Sequence, residues 1–160
     1  MGLELIRASA EHRLLFINLM QLYMHDFSEF VDIDVQDNGL YKAYAYLEDY
    51  WKDNTTRFAY IIKHDAHYAG FVLVRYLETE ERSYYSIAEF FIIRKYRRAG
   101  IGSKVAMQIF DLYKGNWEVF QKEANKPAQG FWTDVINEYT KGEFTDRFAE
   151  GKRIQNFQNV

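Results

Sequence analysis

Hydrophobic residues along this chain follow two different periods, and each period predicts a different kind of element. Segments rich in β-branched and aromatic residues predict strands at 57–63, 68–77 and 83–93. Residues 64–67, His-Asp-Ala-His, separate the first two segments and predict a hairpin turn. A short alternating segment at 3–7 predicts a further strand ahead of them.

Apolar residues at helical spacing predict helices between the strands. In residues 11–25, Leu15, Leu19 and Leu22 stand at i, i+4 and i+7, so we expect them to form a buried stripe. Three more segments are predicted to be helical: 40–51, 103–113 and 127–139.

The remaining strand signals complete the order of elements. Residues 117–121 predict a short strand, and 143–149 with 153–158 predict a closing hairpin. The order is then β-α-α-β-β-β-α-β-α-β-β, which predicts an α+β fold with a central mixed sheet flanked by helices. A length of 160 residues without a linker or repeat predicts a single domain over residues 1–160.

Composition narrows the class of protein. The chain has no cysteine, which excludes disulfides, zinc–thiolate sites and thiol nucleophiles. A formal net charge of -3 argues against bulk binding of nucleic acid. No leader pattern and no apolar run of about 20 residues is evident, so we expect a cytoplasmic protein without a membrane segment. We also expect no metal, because the acidic segment 32–39 lacks the register of a calcium loop.

A basic segment follows the strand at 83–93 and leads into a helix. Five of the sixteen residues from Glu89 to Lys104 are Arg or Lys, and two are glycine. A helix start with exposed N–H groups is an anion site, and phosphate is the expected anion. The glycine spacing fits neither a Walker A loop nor a dinucleotide-binding loop.

The spacing that does fit is R-x-x-G-x-G, formed by Arg97, Gly100 and Gly102. It resembles the pyrophosphate loop of the GNAT family of N-acetyltransferases, which binds acetyl-coenzyme A. A second segment, starting at Asn125, resembles the family's N-x-x-A-x-x-F-Y pattern, with Trp132 in place of the tyrosine. The predicted order of elements also resembles that of the family over essentially the whole chain.

The resemblance implies that acetyl-coenzyme A is the cosubstrate. It implies a set of cofactor-binding residues on the strand, the loop and the second motif: Phe91, Ile92, Arg97, Arg98, Ala99, Gly100, Ile101, Gly102, Ser103 and Asn125. The family's asparagine binds the pantetheine arm, although an Asn just before a helix is also a routine N-cap. Two glycines in the loop leave room for phosphate, because a side chain there would keep it away.

Glu89 is the candidate catalytic residue. It is the only charged residue between Ser83 and Ile93, and a carboxylate on an apolar strand is costly unless it is paired or lies near water. In several enzymes of the family a glutamate near this place is the general base. The alternative is a structural ion pair with a cation on a neighbouring strand: Arg57, Lys63 or Arg75.

The sequence thus predicts an N-acetyltransferase that transfers acetyl to a primary amine by direct attack in a ternary complex. The resemblance implies a small molecule or a peptide as the acceptor, and a homodimer is left open. Many family members have a tyrosine where this chain has Trp132, and that tyrosine protonates the leaving thiolate. The indole of a tryptophan does not act as a proton donor in this way. This departure favours an alternative, a non-catalytic domain that binds acyl-coenzyme A. An oxidoreductase that uses a nucleotide is disfavoured by the glycine spacing.

Overall fold

The computed structural model describes residues 2–160 and shows a seven-stranded mixed sheet with helices. The strands are β1 (Leu3–Arg7), β2 (Arg57–His64), β3 (His67–Glu78), β4 (Ser83–Ile92), β5 (Gly115–Lys122), β6 (Thr145–Ala149) and β7 (Lys152–Asn159). The α-helices are α1 (Arg13–Phe27), α2 (Asp49–Lys52), α3 (Ile101–Leu112) and α4 (Lys126–Thr140). Short 3-10 turns lie at Ala10–His12 and Arg94–Tyr96.

The strands lie in the order β1-β2-β3-β4-β5-β7-β6. β4 and β5 are parallel, with Tyr85 opposite Trp117, whereas β1 with β2, β5 with β7 and β6 with β7 are antiparallel. The chain order of helices and strands is the one predicted from the sequence, and the α+β class with a mixed sheet is confirmed.

Contacts divide the chain into two compact units. The first unit runs up to Leu73 and includes Glu89–Tyr96, and the second unit is Val74–Ala88 with Arg97–Val160. β3 and β4 therefore contribute residues to both units. The prediction of one domain over the whole chain stays a prediction.

In the first unit, the buried face of α1 differs from the predicted stripe. Phe16, Leu19, Met20 and Tyr23 occupy it, whereas Leu22 is 51% exposed. These four residues also stand at helical spacing, at i, i+3, i+4 and i+7, so the sequence pattern allowed two stripes. The aromatic stripe has the larger area to bury. The rings of Phe16 and Tyr23 lie 5.4 Å and 5.6 Å from the ring of Phe71.

The predicted helix at 40–51 is wrong over most of its length. Helix α2 covers only Asp49–Lys52, and residues 41–44 have no regular structure. The side chain of Gln21 on α1 binds both backbone groups of Tyr41, donating to the carbonyl at 3.0 Å and accepting from the N–H at 2.8 Å. Backbone groups that a side chain already satisfies have no need of helical partners.

In the second unit, β5 and β7 pair along their length, from Gly115 opposite Asn159 to Lys122 opposite Lys152. Phe110 of α3 lies 4.9 Å from both Trp117 of β5 and Phe157 of β7, measured between ring centroids. Trp117 and Phe110 are fully buried. The core of this unit is therefore an aromatic cluster between α3 and the sheet, because aromatic rings bury the largest areas.

Gly70 permits a very close approach between β3 and the end of β4. A Cβ atom at this position would lie 1.9 Å from the carbonyl oxygen of Phe91 and 2.9 Å from its carbonyl carbon. The neighbouring carbonyl of Ala69 accepts a hydrogen bond of 2.8 Å from the N–H of Ile93. Any side chain at position 70 would therefore push the end of β4 away.

We expect Gly70→Ala to destabilise the protein by about 3 kcal/mol, because a backbone neighbour has to move to admit one methyl group. The control is Gly130→Ala within α4, where a Cβ would meet nothing within 4 Å. That change should stabilise the protein by about 0.5–1 kcal/mol through helix propensity. Denaturant unfolding measures both, and equal stability of Gly70→Ala and the wild type would contradict the close approach.

Candidate functional site

The carboxylate of Glu89 on β4 is held by two phenols. Tyr23 of α1 donates to Oε1 at 2.7 Å, and Tyr44 donates to Oε2 at 3.0 Å. The hydrogen bonds of the carboxylate thus come from tyrosines rather than from the cations that the sequence offered as alternative partners. Tyr44 lies in the irregular segment that the sequence predicted as helix, so its contact with Glu89 was not foreseen.

Burial raises the pKa of Glu89, while the hydrogen bonds from Tyr23 and Tyr44 oppose that rise. The pKa of Tyr23 is raised well above its ordinary value, mainly by burial and next by the negative charge of Glu89. Tyr23 therefore keeps its proton and remains a donor. A carboxylate whose pKa lies above its usual range is a better proton acceptor, which suits a general base.

Phe91 and Ile92 end β4 as buried residues. The ring of Phe91 lies 5.6 Å from that of Tyr23 and 5.7 Å from that of Phe71. Their side chains belong to the core of the first unit. Any cofactor contact of these two residues would therefore come from their backbone.

The part of the basic segment from Arg97 to Gly100 lies in the second unit and turns sharply into α3. Arg98 and Gly100 have left-handed backbones, with φ of 67° and 78°. The N–H of Lys104 donates to the carbonyl of Gly100 at 3.2 Å, and the three N–H groups at 101–103 precede this bond. A Cβ at Gly100 would meet nothing within 4 Å, so the space beside it is open. Exposed arginines beside these N–H groups make a site suited to an anion.

Asn125 caps α4, since its Oδ1 accepts a hydrogen bond of 3.1 Å from the N–H of Ala128. The structure thus confirms the helix cap as one role of Asn125, while its role toward pantetheine stays a prediction.

Trp132 is only 6% exposed, and its ring lies 5.0 Å from the ring of Phe131. Tyr139, two turns further along α4, donates to Asp111 at 2.8 Å.

Sequence reasoning did not connect Gln21 or Tyr44 with Glu89. Neither belongs to a motif, and the tyrosine-rich segment from 41 to 46 gave a helical signal. A hydrogen-bonding residue at position 21, inside an otherwise apolar segment of α1, was the one signal available.

Among residues 2–160, no helix is long and apolar enough to cross a membrane. Within the same residues, no group of three His, Asp or Glu side chains is placed to hold a metal ion.

Comparison with solved structures places the fold among acetyltransferases. An acetyltransferase from Thermus thermophilus has a TM-score of 0.68 at 13% identity, covering 99% of this chain and 97% of that chain. An aminoglycoside acetyltransferase from an uncultured soil metagenomic sample, in complex with sisomicin, has a TM-score of 0.62 at 17% identity, with coverage of 84% and 87%. Arabidopsis thaliana Naa50, in complex with the bisubstrate analogue CoA-Ac-MVNAL, has a TM-score of 0.58 at 13% identity, with coverage of 98% and 97%.

At these identities the likeness concerns the fold. The family comes from the sequence itself, because the model of the Acetyltransferase (GNAT) family matches residues 16–135. The chain belongs to this family, as the two motifs at Arg97 and Asn125 predicted. A search of curated proteins found no match to the sequence.

The raised pKa of Glu89 predicts how Glu89→Gln changes stability with pH. The folded protein binds this proton more tightly than the unfolded chain, so the resulting stability is present below the unfolded pKa, about 4.3. That stability is lost as pH rises through the folded pKa. Since glutamine does not titrate, Glu89→Gln should gain stability relative to the wild type between pH 4 and pH 7.

Thermal melting at pH 4 and pH 7 measures this difference. Glu138→Gln, at an exposed position on α4, controls for the loss of one negative charge. A variant that loses stability relative to the wild type between pH 4 and pH 7 would show that the folded protein favours the charged form of Glu89.

Proposed function

We propose that this protein is an N-acetyltransferase that uses acetyl-coenzyme A and transfers the acetyl group to a primary amine. The observation that carries the proposal is the loop at 97–103, where a left-handed turn presents the start of α3, in a chain of the GNAT family. Family membership supports the reaction class, and the loop supports the cosubstrate.

The residues of the loop fit a diphosphate. The N–H groups at 101–103 precede the first hydrogen bond of α3, and Arg97 and Arg98 supply positive charge from exposed positions. The open space beside Gly100 leaves room for a phosphate oxygen. A solved neighbour, Naa50, is in complex with an analogue that contains coenzyme A.

We assign the rest of the cofactor contacts to residues that the sequence motifs single out. Phe91 and Ile92 would offer backbone groups to the thioester and the pantetheine arm. Asn125 uses its Oδ1 to cap α4, which leaves the side-chain N–H groups to donate to a pantetheine carbonyl. Acetyl-coenzyme A supplies the activated acetyl group.

Glu89 is the proposed general base. A primary amine such as that of lysine has a pKa of about 10.4, so it must lose a proton before it attacks a thioester. The half-buried carboxylate of Glu89 accepts this proton, directly or through one water molecule. Because the chain has no cysteine to carry the acetyl group, direct transfer in a ternary complex is the route proposed.

The acceptor class follows from the reaction and from the neighbours. One neighbour is an aminoglycoside acetyltransferase in complex with sisomicin, and another is in complex with an analogue that carries a peptide. We propose a primary amine on a small molecule or a peptide.

A second candidate is a domain that binds acyl-coenzyme A without turnover. Trp132 favours it, because the residue is buried and stands where the family's tyrosine protonates the leaving thiolate. Both candidates bind the cofactor, so only release of free thiol with an amine separates them.

Acetyl-coenzyme A at about 100 times its dissociation constant should stabilise the fold by about 2.7 kcal/mol, whereas NAD and ATP should do so little. Gly100→Val should abolish the thermal shift, because its side chain fills the space beside the loop. Gly151→Val is a matched control, since Gly151 has a similar φ of 74° and equally open surroundings in the hairpin between β6 and β7. Gly151→Val should keep the thermal shift with acetyl-coenzyme A. An unchanged thermal shift in Gly100→Val would show that the loop does not bind the cofactor.

Glu89→Gln should lower the turnover rate by roughly 10²- to 10⁴-fold, because glutamine keeps the size of the side chain but accepts no proton. Its thermal shift with acetyl-coenzyme A should match that of the wild type. Free thiol measured with a panel of amines, peptides and aminoglycosides gives the rate. Full turnover in the folded variant would make Glu89 a structural residue, and no thiol release from any acceptor by the wild type would favour the non-catalytic candidate.

A further inference from the structure

The two phenols that hold Glu89 are anchored in different ways. Tyr23 lies on the buried face of α1, with its ring 5.6 Å from Phe71 and 5.6 Å from Phe91. Packing therefore fixes Tyr23 whether or not it donates to the carboxylate. Tyr44 lies in a segment without regular structure, so its position depends on what holds that segment.

The segment is held by a side chain of α1. The amide of Gln21 donates to the Tyr41 carbonyl and accepts from the Tyr41 N–H, as a neighbouring strand would. The Tyr41 hydroxyl also lies 3.4 Å from the Ser28 hydroxyl at the end of the same helix. Three residues after this anchor, Tyr44 reaches Oε2 of Glu89.

We propose that Gln21 and Tyr44 are positioning residues for Glu89, with Gln21 fixing the backbone at Tyr41 and Tyr44 orienting the carboxylate for proton transfer. This inference rests on the proposed function, because it gives the two residues a purpose in the reaction of Glu89. One carboxylate oxygen is then held by a rigid helix and the other by a segment that the same helix anchors. Each oxygen keeps a second lone pair for the amine or for a water molecule.

The hydrogen bond from Tyr44 also affects the pH at which Glu89 takes up a proton. Among the described residues of the first unit, the titratable groups that face Glu89 are Tyr23 from α1 and Tyr44 from the irregular segment. β3 packs Phe71, which carries no charge, against Tyr23. Loss of the Tyr44 hydroxyl removes a hydrogen bond that favours the charged carboxylate. Glu89 should then take up its proton at a higher pH.

The test is a titration of the Glu89 carboxyl by 13C NMR in protein labelled at glutamate, with the signal assigned by its loss in Glu89→Gln. The measurement needs no acceptor. Tyr44→Phe should move the midpoint to higher pH, and Gln21→Met should move it in the same direction by releasing the segment. Tyr46→Phe is the matched control, because Tyr46 lies in the turn that follows the segment, is 60% exposed and has no hydrogen bond with Glu89.

Turnover is measured by free thiol with acetyl-coenzyme A and two probes, sisomicin and the peptide Met-Val-Asn-Ala-Leu. In Tyr44→Phe, kcat/KM should fall about tenfold at the acidic end of the pH profile and by less than about threefold on the alkaline plateau. A midpoint that stays in place in Tyr44→Phe overturns the inference. A midpoint that moves in Tyr44→Phe but not in Gln21→Met overturns the role of Gln21. A moved midpoint without thiol release from either probe counts against the proposed function and leaves the contact intact.

Discussion

A half-buried carboxylate on an apolar strand is the constraint around which the first unit is arranged. Glu89 follows Ala88 and precedes Phe90, Phe91 and Ile92, so its immediate neighbours along the strand are apolar. Burying an unpaired charge would cost far more than the few kcal/mol that a single contact contributes. Two phenols meet this requirement by donating hydrogen bonds without bringing a compensating charge. The carboxylate therefore remains a proton acceptor, whereas an ion pair with an arginine would have lowered its pKa.

Two faces of helix α1 help to hold the Glu89 carboxylate, one through Tyr23 and the other through Gln21. Tyr23 and Gln21 are two residues apart, and side chains at that spacing point in different directions around a helix. Tyr23 therefore lies in the core against β4, while Gln21 reaches sideways to the backbone of Tyr41. The register of α1 decides both contacts at once. This is a physical reason for the aromatic stripe to be buried and for Leu22 to remain exposed.

The sequence predicted the parts of the structure that depend on neighbouring residues. The strands from Arg57 to Ile92 and the turn at Asp65-Ala66 follow from local propensity, and both turn residues have the positive φ of a tight hairpin. The segment at 41–44 could not be predicted in this way, because its partner is a side chain about 20 residues earlier. For the same reason the sequence singled out Glu89 as the costly charge but did not show which groups satisfy it. The turn from Arg97 into α3 was predicted because its signal resides in consecutive residues.

Trp132 bears on the mechanism less than its departure from the family pattern suggests. In the proposed reaction the amine must lose a proton with a pKa of about 10.4, so only a very small fraction is reactive near pH 7. The leaving thiol has a pKa of about 8.5, so its thiolate is stable enough to depart with little help. The reaction thus demands more of a base than of an acid. The carboxylate of Glu89, held at both oxygens by phenols, is consistent with that imbalance, because it would serve the harder of the two proton transfers.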